Sequence, residues 1–293
     1  MTMTEERKLT MKKTVAEGVR ENVRAQYGKI AQSRGKGCGA GKCCGSNPDG
    51  VAKAAGYAEK ELKKLPEGAN MGLSCGNPTA IASLKRGEVA LDLGSGGGFD
   101  VFIAGQKVGR RGRSIGVDMT PEMLSKARGY IASYTKKTRL ANVEFRLGEI
   151  EHLPVADNSV DVVISNCVIN LSPDKEQVWR EIARVLKPGG RVAVSDLALL
   201  RPLPAKVANM VEALVGCVAG AVLVTETERM ARKAGLVKIA MAARGDYIAQ
   251  MENWNDPLYS KIARALPKGR KASEYVTSLS VTAWKPRRKT VSR

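Results

Sequence analysis

Six cysteines and a single histidine, His152, set the chemistry open to this 293-residue chain. Cys38, Cys43 and Cys44 crowd one glycine-rich stretch, "GKGCGAGKCCG". Cys75, Cys167 and Cys217 stand far apart, each beside a turn or strand end, in "GLSCGNP", "SNCVINL" and "VGCVAGA". A lone cysteine is most often a small buried hydrophobe, and Cys217, within an apolar run, fits that description on pattern alone. Thiolates acting together are soft ligands that select zinc, Cu(I) or a thiophilic metalloid. The C-x4-C-C spacing of the first group lacks the C-x2-C pairs and full ligand set of a structural zinc site. With one histidine in the chain, general-base activation of an acceptor is poorly served, so the acceptor is expected to carry its own lone pair.

A second constellation is acidic. "VALDLGSGGGFD" places Gly94, Gly96, Gly97 and Gly98 where a strand turns into a helix. Glycines there let backbone approach a ligand closely, but the spacing is not the G-x-G-x-x-G that cradles a pyrophosphate. Asp92 stands just before the loop, where a carboxylate repels phosphate and welcomes an ammonium group. Asp118 ends the next strand, where an acid accepts both hydroxyls of a ribose. Glu149, after the third strand, is placed for an adenine amino group. Acid, glycine loop and two further acids suit a cationic amino-acid nucleoside, S-adenosylmethionine. Trivalent arsenic meets the demands made of the acceptor: sulfurs hold it, and its lone pair can attack a sulfonium methyl.

These residues need elements to carry them. "EVALDLG", "RSIGVDM", "NVEFRLGEI", "VDVVIS" and "GRVAVSDL" read as strands. Between them, "GGFDVFIAGQKVG", "TPEMLSKARGYIASYTKK" and "DKEQVWREIARVLK" read as helices, the second capped by Thr120 with Pro121 at its first position. Alternation at this spacing predicts an α/β fold, a mostly parallel sheet with helices on both faces and a ligand crevice at the strands' carboxyl ends. A smaller C-terminal α+β part follows: a helix around "ETERMARKAGL", a strand near "VKIAMAA" and a late strand "YVTSLSVTAW" expected to pair antiparallel. Upstream, one helical piece, "TVAEGVRENVRAQYGKIAQSR", precedes the glycine-rich loop, read as irregular through "SNPDG", and a short helix "YAEKELKKLP".

The cofactor set, with "LDLGSGGG" and "VLKPGGRVAVSD", resembles class I S-adenosylmethionine-dependent methyltransferases over about residues 70–200. "GLSCGNP", "IGVDMTPEML", "EFRLGEIEHLPV", "SNCVINLSPDKEQVWREIARVLKPGG" and "GCVAGA" are similar to the arsenite S-adenosylmethionine methyltransferases over roughly residues 25–285. That resemblance implies a Rossmann-like class I core at 88–200. It also implies a basic N-terminal extension at 1–36, a Cys/Gly-rich loop with cap helices at 37–87, an arsenic-binding C-terminal part at 201–285 and a basic tail at 286–293. It implies Cys167 and Cys217 as the pair holding arsenic throughout and Cys75 as a third thiol for the first methylation. A redox relay to Cys75 would come from Cys44 or Cys43, with Cys38 the weaker candidate. Gly94, Ser95 and Gly96 would face the methionine part, and Asp118 and Met119 the ribose and adenine. Ile150 with Glu149 or Glu151 would flank the base, Asn166 would lie near the methionine end, and Tyr27 would fold over the cofactor. Leu73 departs from the tyrosine of animal members at that place, so an aromatic wall over the sulfonium is either missing or supplied elsewhere.

Composition bounds the rest. At 43% hydrophobic and 26% charged the chain is that of a globular protein. No apolar leader follows Met1, and the most apolar window, "VANMVEALVGCVAGAVLV", carries Asn209 and Glu212 and reads as a buried helix and loop, so a cytoplasmic protein without membrane contact is expected. The net charge of +19 collects largely in terminal runs, a weak pointer to a partner. It raises an RNA methyltransferase as a rival, but aromatics are only 4%, too few for base-stacking platforms, and no specific nucleic acid is expected. A thiol-based arsenic sensor without turnover would not need the glycine loop. A methyltransferase of a quinone, sterol or other small organic acceptor would share that loop without needing Cys167. The expected partners are a thiol conjugate of trivalent arsenic and a thioredoxin- or glutathione-type reductant, with no metal cofactor, acting on a monomer.

Overall fold

The computed structural model describes residues 3–32, 48–208, 210, 218–245, 248, 261–262 and 264–287. Cys38, Cys43, Cys44 and Cys217 therefore lie outside the described residues, as does the middle of the apolar window, residues 211–217. Seven strands form one sheet: β1 (Val89–Leu93), β2 (Arg113–Asp118), β3 (Val143–Leu147), β4 (Val160–Asn166), β5 (Leu186–Leu199), β6 (Val237–Arg244) and β7 (Val276–Trp284), in the order β3-β2-β1-β4-β5-β7-β6. The first five run parallel, with Leu91 beside both Ile115 and Val163. β7 enters antiparallel to β5, and β6 closes the edge antiparallel to β7, as the late strand's position predicted.

Helices cover both faces, which is why β1 and β4 are near-continuous apolar runs with no alternation. The helices before the sheet are α1 (Met3–Gln32), α2 (Pro48–Ala55), α3 (Glu59–Leu62) and α4 (Pro78–Ile81). Within it come α5 (Phe99–Val108), α6 (Pro121–Gly129), α7 (Ile131–Thr138) and α8 (Lys175–Val185). On one face Val178, Trp179, Ile182 and Val185 of α8 pack on Val163, Val192, Val194 and Val281. On the other, Val101 and Phe102 of α5 meet Leu124, Tyr134 and Phe145. Each such side chain, fully buried, contributes about 1.5–3 kcal/mol before entropy is charged.

Pro121 opens α6 as expected, but the Thr120 hydroxyl makes no capping bond; Asp118 accepts the Thr120 amide instead, at 2.8 Å. The single helix read through "TPEMLSKARGYIASYTKK" is two, broken at Tyr130. Helix α8 stops at Val185, two residues earlier than read, and "KPGG" lies within β5, where a register shift against β4 absorbs Pro188 and the positive φ of Gly189. "PDG", read as part of an irregular stretch, opens α2 with Pro48 as its first residue, a position where its missing N–H costs nothing.

Candidate active site

Strand order reverses between β1 and β4, and the crevice outside the carboxyl ends there is where open α/β sheets take ligands. It opens to solvent, and the space between its walls, open solvent included, is about 1030 Å³. Its floor is acidic. Asp92 comes from β1, Asp118 from the last position of β2 and Asp100 from the first turn of α5; all three are buried and line the cleft. Burial raises the Asp118 carboxyl although the Gly96 and Thr120 amides each donate to it at 2.8 Å. Burial lifts Asp100 to about 6, against opposing hydrogen bonds from Tyr57 and Asn166 and the charge of Lys107. Asp92 is pushed well up, by burial first and then by the like charges of Asp100 and Asp118. Buried carboxylates crowded in this way are relieved by a cation, which is what the ammonium and sulfonium of S-adenosylmethionine supply. The donor set fits that group.

The loop above this floor is shaped for close approach. Gly94 holds φ at +64°, and a side chain there would overlap Val168. Gly94, Ser95, Gly96, Met119, Ile150, Glu151, Asn166 and Tyr27 line the cleft, as does Leu73. Phe99 stands in the same wall, an aromatic ring from the start of α5. Glu149 turns away to Arg20 and Arg24, at 3.3 and 3.5 Å, whereas Glu151 is buried and accepts the Ser172 hydroxyl at 2.7 Å. Of the two acids read for the base, Glu151 is the one on the cleft.

Two of the cysteines meet beside the same cleft. Cys167 follows the last residue of β4 and takes φ +53°, a left-handed turn uncommon for a side-chain-bearing residue, while its N–H donates to the Ser195 carbonyl at 2.9 Å. That turn swings the chain from the strand into the short helical turn Ile169–Leu171 and leaves Cys167 on the cleft wall. Cys75, 92 positions earlier, has its sulfur bonded to that of Cys167, with Cα atoms 5.8 Å apart. Around Cys167 the packing is apolar: Val23, Val51, Leu171, Leu197, Leu199 and Val218. The relay read for Cys75, to Cys44 or Cys43, falls outside the described residues; here its sulfur partner is Cys167.

Three contributors escaped the sequence reading. Asp100 looked like an ordinary acid in a helix's first turn, favourable to the helix dipole. Tyr57, buried behind the cleft, donates to Asp100 at 2.6 Å and carries no motif. The segment read as an N-terminal extension forms α1, longer than predicted, and its Arg20 and Val23 wall the cleft beside Tyr27, which alone of the three was expected there.

Comparison with known proteins bears on this geometry. A family model described as "Methyltransferase domain" matches residues 84–235. The chain is 44% identical over 282 residues to an arsenite methyltransferase of Halobacterium salinarum, covering 93% of this chain and 68% of that protein. The chain belongs to the arsenite methyltransferase family. A second relative, the arsenite methyltransferase of Aquipseudomonas alcaligenes, is 38% identical over 219 residues, 73% of this chain and 61% of its own length. The crystal structure of an arsenic(III) S-adenosylmethionine methyltransferase from Chlamydomonas reinhardtii superposes with a TM-score of 0.59 at 32% identity, covering 82% of this chain and 74% of that one. Family membership makes the chain an S-adenosylmethionine-dependent methyltransferase, in keeping with the cation-seeking floor of its cleft.

Proposed function

We propose that this protein methylates trivalent arsenic held by Cys75, Cys167 and Cys217, using S-adenosylmethionine. The observation that carries the reading is the meeting of Cys75 and Cys167 at the mouth of the acid-floored cleft, although 92 residues separate them. Two sulfurs that reach each other can, once reduced, share one larger thiophilic atom. S-Adenosylmethionine supplies an electrophilic methyl on a sulfonium. Asp92 and Asp100 offset the cationic end, Gly94, Ser95 and Gly96 admit the methionine part, Asn166 lies at that end, Asp118 and Met119 take the ribose and adenine, and Ile150 and Glu151 flank the base. Tyr27 covers the pocket from α1. The arsenic lone pair forms the new As–C bond as the C–S bond breaks and its electrons stay on sulfur, so charge disperses in an apolar surround that favours the transition state. Alignment of nucleophile, methyl and leaving sulfur does most of the work, and no base is required. Arsenic leaves this step formally oxidised. Two cysteine thiolates return it to the trivalent state by becoming a disulfide, and a thioredoxin- or glutathione-type reductant resets them.

Among the described residues no helix is long and apolar enough to cross a membrane, and we read the protein as a cytoplasmic monomer that needs no metal cofactor. Incubating it with arsenite, labelled S-adenosylmethionine and a thiol, with products separated by species, tests the activity. Cys167→Ser is expected to lower methylation of both arsenite and methylarsenite about a hundredfold or more, with cofactor affinity retained. Cys75→Ser should harm the arsenite step selectively. Full-rate turnover of methylarsenite by Cys167→Ser, or methylation of a quinol but not of arsenite by the native protein, contradicts the reading.

A further inference from the structure

The Asn166 side chain joins two things the fold otherwise keeps apart. Its Oδ1 accepts the Cys75 amide at 3.0 Å, and its Nδ2 donates to the Gly76 carbonyl at 3.0 Å. One amide thus clamps the backbone of Cys75 and Gly76 in the manner of a strand partner, while the next residue along its own chain is Cys167. Behind it, Nδ2 also donates to Asp100 Oδ2 at 3.1 Å and meets the Tyr57 oxygen at 3.0 Å, and Tyr57 donates to Asp100 Oδ1 at 2.6 Å. With acceptors on one end and a backbone N–H at the other, the amide has a single satisfactory orientation. Two further contacts fix the same segment: the Ser278 hydroxyl of β7 donates to the Cys75 carbonyl at 2.8 Å, and a Cβ on Gly76 would stand 2.8 Å from that of Ser195.

We infer that Tyr57 and Asp100 are positioning residues, holding the Asn166 amide in the orientation that sets Cys75 against Cys167. The inference deepens the proposed function, since it rests on these two thiols forming the acceptor site. The Asp100 carboxylate stands between the other two, accepting Tyr57 on Oδ1 and Asn166 on Oδ2. Asp100 lines the cofactor cleft, whereas Tyr57 is buried behind it and is not on the cleft wall. Tyr57 therefore reaches the thiols only through Asp100 and Asn166, and its hydroxyl separates positioning from cofactor contact. In this arrangement the methyl donor's floor and the thiol pair are a single hydrogen-bonded unit. A loss of order at Tyr57 should appear as a lower effective concentration of one thiol at the other.

That quantity is measurable without arsenic. The full-length protein is equilibrated in glutathione redox buffers, in which the Cys75–Cys167 bond exchanges with two glutathione thiols to give two cysteine thiols and oxidised glutathione. After acid quench and alkylation, the bonded fraction is read by peptide mass spectrometry. Tyr57→Phe should lower the equilibrium constant for the Cys75–Cys167 bond about threefold, and Asn166→Ala about tenfold, the range expected for losing one and several hydrogen bonds. In Tyr57→Phe, kcat for arsenite, read at saturating S-adenosylmethionine, should fall in step while the melting temperature stays near its native value. A purely structural tyrosine would lower the melting temperature and leave the pair's equilibrium unmoved. An unchanged equilibrium constant in Tyr57→Phe overturns the inference, and that variant, one oxygen atom smaller, decides the matter even should Asn166→Ala fail to fold. Because the equilibrium involves no arsenic, a native protein that fails to methylate arsenite would sink the proposed function while leaving this result readable.

Discussion

At the scale of single residues, the proposed role of the cleft-floor acids predicts that cofactor binding depends on protons. Asp100 is lifted to about 6 because burial penalises its charge, and Asp92 is pushed well up by burial first and then by the charges of Asp100 and Asp118. In the protein without cofactor, raised carboxyl pKa values mean the folded state holds more protons than the unfolded one. The stability cost of these acids is therefore absent below the unfolded value of about 4 and grows as pH rises through 6. A bound cation reverses the preference: it favours the carboxylates, lowers their pKa and expels protons. Affinity for S-adenosylmethionine should accordingly rise with pH and fall as pH drops through 6. Calorimetry in buffers of different ionisation enthalpy should register proton release near that pH. An affinity that stays flat as pH falls through that window would remove the acids from cofactor recognition.

At the scale of elements, α1 does more than trail from the sheet. Arg20 spans 3.3 Å to Glu149 and 3.6 Å to Glu151, and Arg24 adds a contact of 3.5 Å to Glu149, so one helix face is tied to the loop after β3. The same turns bring Val23 and Tyr27 to the cleft. Arg20 is mostly buried and Glu151 nearly fully so, which exempts their contact from the heavy screening of a surface pair. Removing the arginine would leave Glu151 without its cationic neighbour and loosen the wall. Arg20→Ala should raise KM for S-adenosylmethionine about tenfold with a smaller change in kcat, as read from initial rates at saturating arsenite. Equal losses in both parameters, with KM unchanged, would place Arg20 outside cofactor binding.

On the scale of the whole molecule, the parallel core was legible because its determinants are local. Val89–Leu93 and Val160–Asn166 are apolar runs bounded by breakers, and the acids and glycines that follow them repeat the chemistry of a known crevice. Cys75 and Cys167 could be associated through resemblance, but no local pattern states that Asn166 clamps one beside the other. The contributions of Tyr57, Asp100 and Ser278 were hidden for the same reason: each partner lies 43 or more positions away, and each residue has a bland local explanation. Likewise α1 reads as a polar helix until its arginines meet acids more than a hundred residues downstream. The antiparallel β6–β7 edge serves the site too, since Ser278 reaches Cys75 from β7.

In the proposed function, sulfur atoms from distant parts of the chain share one arsenic. X-ray absorption at the arsenic edge, on reduced protein loaded with one equivalent of arsenite, reads that directly. About three sulfur neighbours per arsenic and no oxygen are predicted, with one sulfur replaced by oxygen in Cys217→Ser and in Cys75→Ser. An oxygen-ligated arsenic, or a sulfur shell untouched by replacing Cys167, would contradict the account.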